Sequence, residues 1–168
     1  MISTPLCGLI PVNWAPQNRA TLVYVVVDAS VLLIKKLRGH GAGKVNAPGG
    51  KIEPGETAEE CAARELYEEV GLYAVDMELG ATLRFLDSGN GYSMEGLVFV
   101  SQGAAGTPKT TPEAVPFWCT VDQIPYAQMW EDDRFWLPHV LAGSYVRGDF
   151  LFDHDKLKEW YLERDGGV

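Results

Sequence analysis

Apolar positions along the chain follow two periods. Thr21 to Val27 is a β-branched run, and Val31 to Leu37 returns after the turn Asp28-Ala29-Ser30, so two neighbouring strands are expected. Leu72 to Leu86 holds one or two further strands and Tyr92 to Val100 another, with Ser88-Gly89-Asn90-Gly91 as the hairpin turn between them. Val115 to Thr120 and Ser144 to Phe152 also read as strands. Lys156 to Arg164 alternates imperfectly and is compatible with strand or helix; a strand is the expectation. The period becomes helical twice. Between Thr57 and Gly71, residues Ala62, Ala63, Leu66 and Val70 share an arc and predict a buried stripe. In Trp130 to Leu141, Phe135, Trp136 and Val140 are expected to face the core, with Pro138 either kinking the helix or tolerated near its start. Strands surrounding one or two helices imply an α+β sandwich.

The first helix has marked ends. Pro54-Gly55 turns the chain before it, Thr57 suits the N-cap with Glu60 completing a capping box, and Gly71 suits the C-terminal stop. Its second face is negative rather than merely polar. Glu65, Glu68 and Glu69, spaced i, i+3 and i+4, fall within one arc. These acids work against the helix: like charges at i, i+4 cost about 0.2–0.5 kcal/mol, and anions in the later half oppose the macrodipole. Arg64 can relieve Glu68 at i+4 but not all three. A divalent cation would remove the conflict. With no His or Cys in the cluster, hard oxygen ligands suit Mg2+, with Mn2+ able to replace it, better than Zn2+. The plain alternative is an exposed acidic face on an acidic protein.

Length and charge narrow the setting. The 168 residues fit one domain large enough for a real core. A net charge of −9 argues against a general binder of nucleic-acid duplexes or membranes, and it suits a polyanionic substrate only if cations mediate the contact. Cys7, Cys61 and Cys119 lie far apart, imply no disulfide framework and fit a reducing, cytoplasmic setting. Leu6-Cys7-Gly8 faintly matches a lipoprotein cleavage site, but no basic region or long apolar run precedes it. No apolar stretch reaches the length of a membrane span. Met1 to Arg19, rich in Pro and small residues, is read as an arm partly ordered by Trp14, leaving 20–168 as the domain.

The string from Gly50 to Leu72 fits G-x5-E-x7-R-E-U-x-E-E-x-G-U at Gly50, Glu56, Arg64, Glu65, Leu66, Glu68, Glu69, Gly71 and Leu72. That is the Nudix box, and the chain resembles the Nudix hydrolases. The resemblance implies an α/β/α sandwich with a mixed sheet and cleavage of nucleoside diphosphates linked to another group. It also implies a metal-bound pyrophosphate held by a loop, a helix and a loop. In the family, Glu56 would pair with Arg64 and brace the motif. A backbone carbonyl near Gly49 or Gly50 would join Glu65, Glu68 and Glu69 at the metal, as would Glu113 from the loop Gly103 to Pro112 and beyond. Alone, Glu113 reads as a solvated loop acid.

The segments KVNAPGGKIEPGE and FWCTVDQIPYAQMWEDDRFWLP resemble the 8-oxo-dGTP diphosphatase branch, from about Thr21 to Asp153. This implies a base pocket of Asn46, Trp130, Asp132 and Asp133, lined by Phe85 and Met94, with Thr21 and Lys36 also meeting substrate. The residues suit that task. Trp130 offers a flat face for stacking, and two adjacent acids beside apolar rings resist ionising together, so one holding a proton lets the pair donate and accept. Other readings stand beside these. Asp132 and Asp133 would also cap the second helix, Asn46 would serve as a turn residue, and Lys35, Lys36 and Arg38 would either form a solvated strand end, the commoner case, or reach the substrate phosphates. His40 and Val45 depart from the branch, which carries large aromatics there, and leave the preferred purine open. The expected reaction is Mg2+-dependent hydrolysis of a modified purine nucleoside triphosphate, by a monomer, to monophosphate and pyrophosphate, with Glu65 or Glu113 as general base. The rivals are a Nudix hydrolase of another derivative such as ADP-ribose, and a non-catalytic nucleotide sensor.

Overall fold

The computed structural model describes residues 9–11 and 13–165. The Leu6-Cys7-Gly8 string, the rest of the arm's first eight residues and Val12 lie outside the described residues. The strands are β1 (Asn18–Val27), β2 (Ser30–Lys36), β3 (Val45–Asn46) and β4 (Gly49–Lys51), followed by α1 (Ala58–Val70). Then come β5 (Tyr73–Ala74), β6 (Met77–Asp87), β7 (Ser93–Ser101), β8 (Ala104–Ala105) and β9 (Ala114–Thr120). The chain finishes with α2 (Asp133–Leu141), β10 (Tyr145–Asp153) and β11 (Lys156–Asp165), a strand as expected.

The main sheet is mixed. Its order is β11-β10-β6-β7-β1-β2-β3, with β4 added to β1 and β9 to β2. β1 runs parallel to β7, and β10 runs parallel to β6. The other pairs are antiparallel. β5 and β8 form a separate two-stranded sheet.

Strand alternation sends successive side chains to opposite faces, and each face receives one helix. Val23, Val25, Leu32 and Ile34 pack with Ala62, Leu66 and Val70 of α1. Tyr24, Val31 and Leu33 pack with Trp136, Leu137 and Val140 of α2. The result is an α/β/α sandwich. Burying each Leu or Val of the α1 stripe contributes about 1.5–3 kcal/mol, which outweighs the charge repulsion on the helix's other face.

Two expected core positions differ. Ala63 is exposed and Cys61 is fully buried instead. The buried arc of α1 widens toward the acid side because β4 lies against it there: Cys61 Sγ sits 3.5 Å from the carbonyl oxygens of Gly50 and Lys51. Phe135 is only half-buried, because β11 offers it an aromatic partner outside the core, Trp160, stacked at 4.4 Å. Pro138 sits inside α2 on its exposed side.

The arm is anchored before β1 begins at Asn18. Ile10 is buried and its N–H donates to Asp149 Oδ2 at 2.9 Å. Arg84 donates from Nε to Asp149 Oδ1 at 2.7 Å and from Nη2 to Asp149 Oδ2 at 2.9 Å. It also donates to the carbonyls of Ile10 and Pro11, at 3.0 and 3.2 Å, and lies over the Trp14 ring.

Candidate functional site

The acid-faced helix begins as its sequence dictates. Thr57 Oγ1 accepts the N–H of Glu60 at 3.1 Å, and Gly71 closes the helix with φ 75°, a conformation that glycine adopts without strain. Thr57 and Gly71 together set where the carboxylates between them point.

Arg64 gathers most of the acids. Its Nε and Nη2 grip Glu56 at 2.7 and 3.0 Å, and its Nη1 reaches Glu65 at 2.9 Å and Glu68 at 3.2 Å. Hydrogen bonding to this guanidinium holds the Glu56 carboxyl down at about 2. Glu68 stays exposed. Glu69 lies beyond the arginine's reach, 6% exposed, with Oε2 buried and without a hydrogen-bond partner among the described residues. Burial first, and Glu65 second, raise its pKa to about 8. Burial likewise raises Glu65.

Gly50 makes the cradle. A Cβ there would stand 2.4 Å from Glu65 Oε1, and a Cβ on Gly49 would stand 1.9 Å from the Thr21 carbonyl oxygen. Only glycines let β4 press between β1 and the acidic face. Among the described residues no three His, Cys, Asp or Glu side chains already form a closed cage. The donors nevertheless suit a hard cation: they are all oxygens, one is an orphaned buried carboxylate oxygen, and backbone is held close beside them.

Glu113 lies beside this group but faces elsewhere. It is ion-paired with Arg38, which draws its pKa down. Its backbone is fixed on both sides, by Leu37 N–H to the Glu113 carbonyl at 2.9 Å and by Glu113 N–H to Thr111 Oγ1 at 3.2 Å.

A cavity of about 310 Å3 opens from the glycine cradle into the sheet's α2 face. That is enough to bury a small ligand. Thr21, Lys36, Gly49 and Gly50 line one part of it, and Asn46, Phe85, Met94, Trp130, Asp132 and Asp133 are also in its wall. So the expected pocket residues are brought together with Gly49 and Gly50, whereas Glu65, Glu68, Glu69 and Glu113 lie outside the lining.

The two aspartates do not cap α2. Asp132 Oδ2 accepts from Trp136 Nε1 at 2.7 Å, and no side-chain bond is made to the helix's first turn. Both acids are buried, and Asp133 Oδ2 has no hydrogen-bond partner among the described residues. Desolvation raises both pKa values, and the charge of Asp132 raises Asp133 further, so the pair favours holding a proton. Asn46 lines the cavity, and its Oδ1 accepts from Ala47 N–H at 2.8 Å, which leaves its amide NH2 to donate.

The aromatic wall holds a residue outside the expected set. His40 stacks between Trp130, at 5.0 Å, and Tyr92, at 5.4 Å, with Gly39 and Gly41 on either side in positive φ. Lys51, Asp87 and His154 also line the cavity. Tyr24 packs against Trp136 with a buried hydroxyl that has no hydrogen-bond partner among the described residues and lies close to both aspartates. No sequence signal marked Tyr24, whose place in a β-branched run reads as core.

Residues 16–140 match the NUDIX domain. The chain is 40% identical over 144 residues to a Danio rerio protein named oxidized purine nucleoside triphosphate hydrolase, covering 85% of this chain and 92% of that one. A Mus musculus protein of the same name is 39% identical over 143 residues, covering 84% and 92%. A solved MutT protein from Bacillus halodurans matches with a TM-score of 0.78 at 29% identity, covering 87% of this chain and 97% of that one. The braced acidic helix, the glycine cradle and the aspartate pair all fall within the matched span, and the chain belongs to the NUDIX family.

Proposed function

We propose that the protein hydrolyses oxidised or otherwise modified purine nucleoside triphosphates, of the 8-oxo-dGTP and 2-hydroxy-dATP kind, to the monophosphate and pyrophosphate, and so cleanses the nucleotide pool. The observation that carries this reading is the adjacent buried pair Asp132 and Asp133 beside Trp130, with Asp133 Oδ2 unbonded. The two similar proteins named for oxidised purine nucleotides support it.

Each group has a task. Trp130 stacks on the purine, and Phe85 and Met94 supply apolar wall. A proton shared by Asp132 and Asp133 gives one donor and several acceptors against the base edge, and the Asn46 amide adds another donor. Thr21 and Lys36 meet the sugar and phosphates toward the Gly49-Gly50 cradle. Glu65, Glu68, Glu69, Glu113 and a carbonyl of Gly49 or Gly50 would hold Mg2+, or Mn2+ in its place, and the bound ion would neutralise phosphate charge and acidify water. Arg64 with Glu56 keeps the carboxylates in place. A water oxygen bonds to the β-phosphorus, its proton passes to Glu65 or Glu113, and the α–β bridging oxygen leaves with the nucleoside monophosphate.

Steady-state kinetics test this on 8-oxo-dGTP, 2-hydroxy-dATP, O6-methyl-dGTP, unmodified dGTP and ADP-ribose, each with Mg2+ and with a chelator. The expected result is a higher kcat/KM on modified purine triphosphates than on dGTP, lost on chelation. Preference for ADP-ribose, or equal turnover of dGTP, would overturn it.

A further inference from the structure

Thr111 occupies the loop between β8 and β9, and one hydroxyl there serves two backbones. Its O–H donates to the carbonyl of Glu69 at 2.8 Å. The same oxygen accepts the N–H of Glu113 at 3.2 Å. The loop is tight around these contacts: Thr111 N–H donates to the Ala114 carbonyl at 3.0 Å, and Ala114 N–H returns to the Thr111 carbonyl at 3.4 Å. Lys109 N–H donates to the Val70 carbonyl at 2.8 Å, so Thr111 and Lys109 both satisfy carbonyls in the last turn of α1.

We propose that Thr111 is a positioning residue for hydrolysis, one that holds the backbone of Glu113 against the helix carrying Glu69. This rests on the functional reading above, in which Glu113 acts at the phosphates. The side chain of Glu113 rests on Arg38, and among the described residues no hydrogen bond or ion pair ties it to α1. When that carboxylate leaves Arg38, its reach is set by where its own Cα is pinned, and the pin on the helix side is the Thr111 hydroxyl. A hydroxyl has one donor and two acceptor lone pairs, so it can serve both backbones at once. Serine keeps that chemistry. Valine keeps the shape and loses both bonds.

The test is a set of variants at two positions. Thr111→Val should lower kcat on the preferred triphosphate about tenfold or more, as misplaced catalytic groups do, while KM stays within about twofold. Thr111→Ser should restore most of kcat. In a Glu113→Gln background, Thr111→Val should cost nothing further, because the group it positions is already disabled. A readout without turnover is Mn2+ binding by electron paramagnetic resonance, which Thr111→Val and Glu113→Gln should weaken by a similar factor. Thr111→Ala carries the same comparisons if the valine variant does not fold.

An unchanged kcat in Thr111→Val, or a loss that multiplies with that of Glu113→Gln, overturns the proposal. A harmless Glu113→Gln substitution also overturns it, while turnover by the unaltered protein would leave the functional reading standing. Absence of turnover in the unaltered protein would instead refute that reading itself.

Discussion

Glu69 should weaken the fold in which it works. Its carboxyl is buried next to Glu65, and its pKa rises from 4.5 to about 8. Below about pH 4.5 folded and unfolded chains both hold the proton, and no charge is buried. As pH rises, the unfolded chain releases its proton first, so folding stability falls through the window from about 4.5 to about 8 and then levels. At 1.36 kcal/mol per pH unit that interval corresponds to roughly 5 kcal/mol. Side-chain relaxation and entering water soften buried charge, so a loss of about 2–5 kcal/mol is expected. For a chain of this size each kcal/mol moves Tm by about 2–4 °C. Glu69→Gln removes the charge and keeps the shape. In chelator, its Tm at pH 9 should exceed that of the unaltered protein by roughly 5–20 °C, and the gap should close toward pH 4. Added Mg2+ should raise the Tm of the unaltered protein far more than that of the variant, and the variant should lose turnover. Thermal melts across pH with and without metal read all of this. A variant that melts lower at pH 9, or a gap that does not depend on pH, refutes the reasoning; substantial turnover refutes the catalytic assignment.

Three further outcomes follow from the same geometry. Asp133→Asn should cut kcat/KM on 8-oxo-dGTP by roughly 10- to 100-fold, the worth of a buried hydrogen-bonding partner, and should hurt dGTP much less; equal losses on a nucleotide panel would count against base reading. His40 lies 5.0 Å from Trp130, while a purine between them needs two contacts of about 3.5 Å each. His40→Ala should therefore lower KM for purine triphosphates by about two- to tenfold, the worth of one aromatic stack, and a raised KM in kinetics would contradict this. Asp149→Ala removes the buried carboxylate that Arg84 and the Ile10 N–H both grip and should cost about 1.5–3 kcal/mol in urea denaturation; a loss under about 0.5 kcal/mol would show that the clasp does not matter.

How much of this was readable in the residues depends on distance along the chain. The α1 boundaries, the Thr57 cap and the Gly71 stop are local chemistry, and each stands where its residue type predicts. The Glu56–Arg64 brace followed from the family's spacing and is present at 2.7 Å. Periodicity placed Leu66 and Val70 correctly but misjudged Ala63, because the helix meets β4 as well as β1, and nothing local reports a second neighbour. Phe135 went to Trp160 for the same kind of reason. That Asp132 bonds the Trp136 indole instead of capping α2 could not be read before that indole was in place. The pairing of Glu113 with Arg38 and the docking of Ile10 on Asp149 join segments remote in sequence, and no motif announces either.

The clasp at Asp149 has a bearing on how the protein tolerates change at its extremities. The family match spans 16–140, so Ile10 of the arm and Asp149 of β10 both lie beyond it, yet the two are fastened together, with Arg84 from within the span holding both. Trimming either flank back to the shared boundary would expose the cut surface of the other. The two flanks therefore depend on each other for cover, and a lesion in one should loosen the seat of its counterpart.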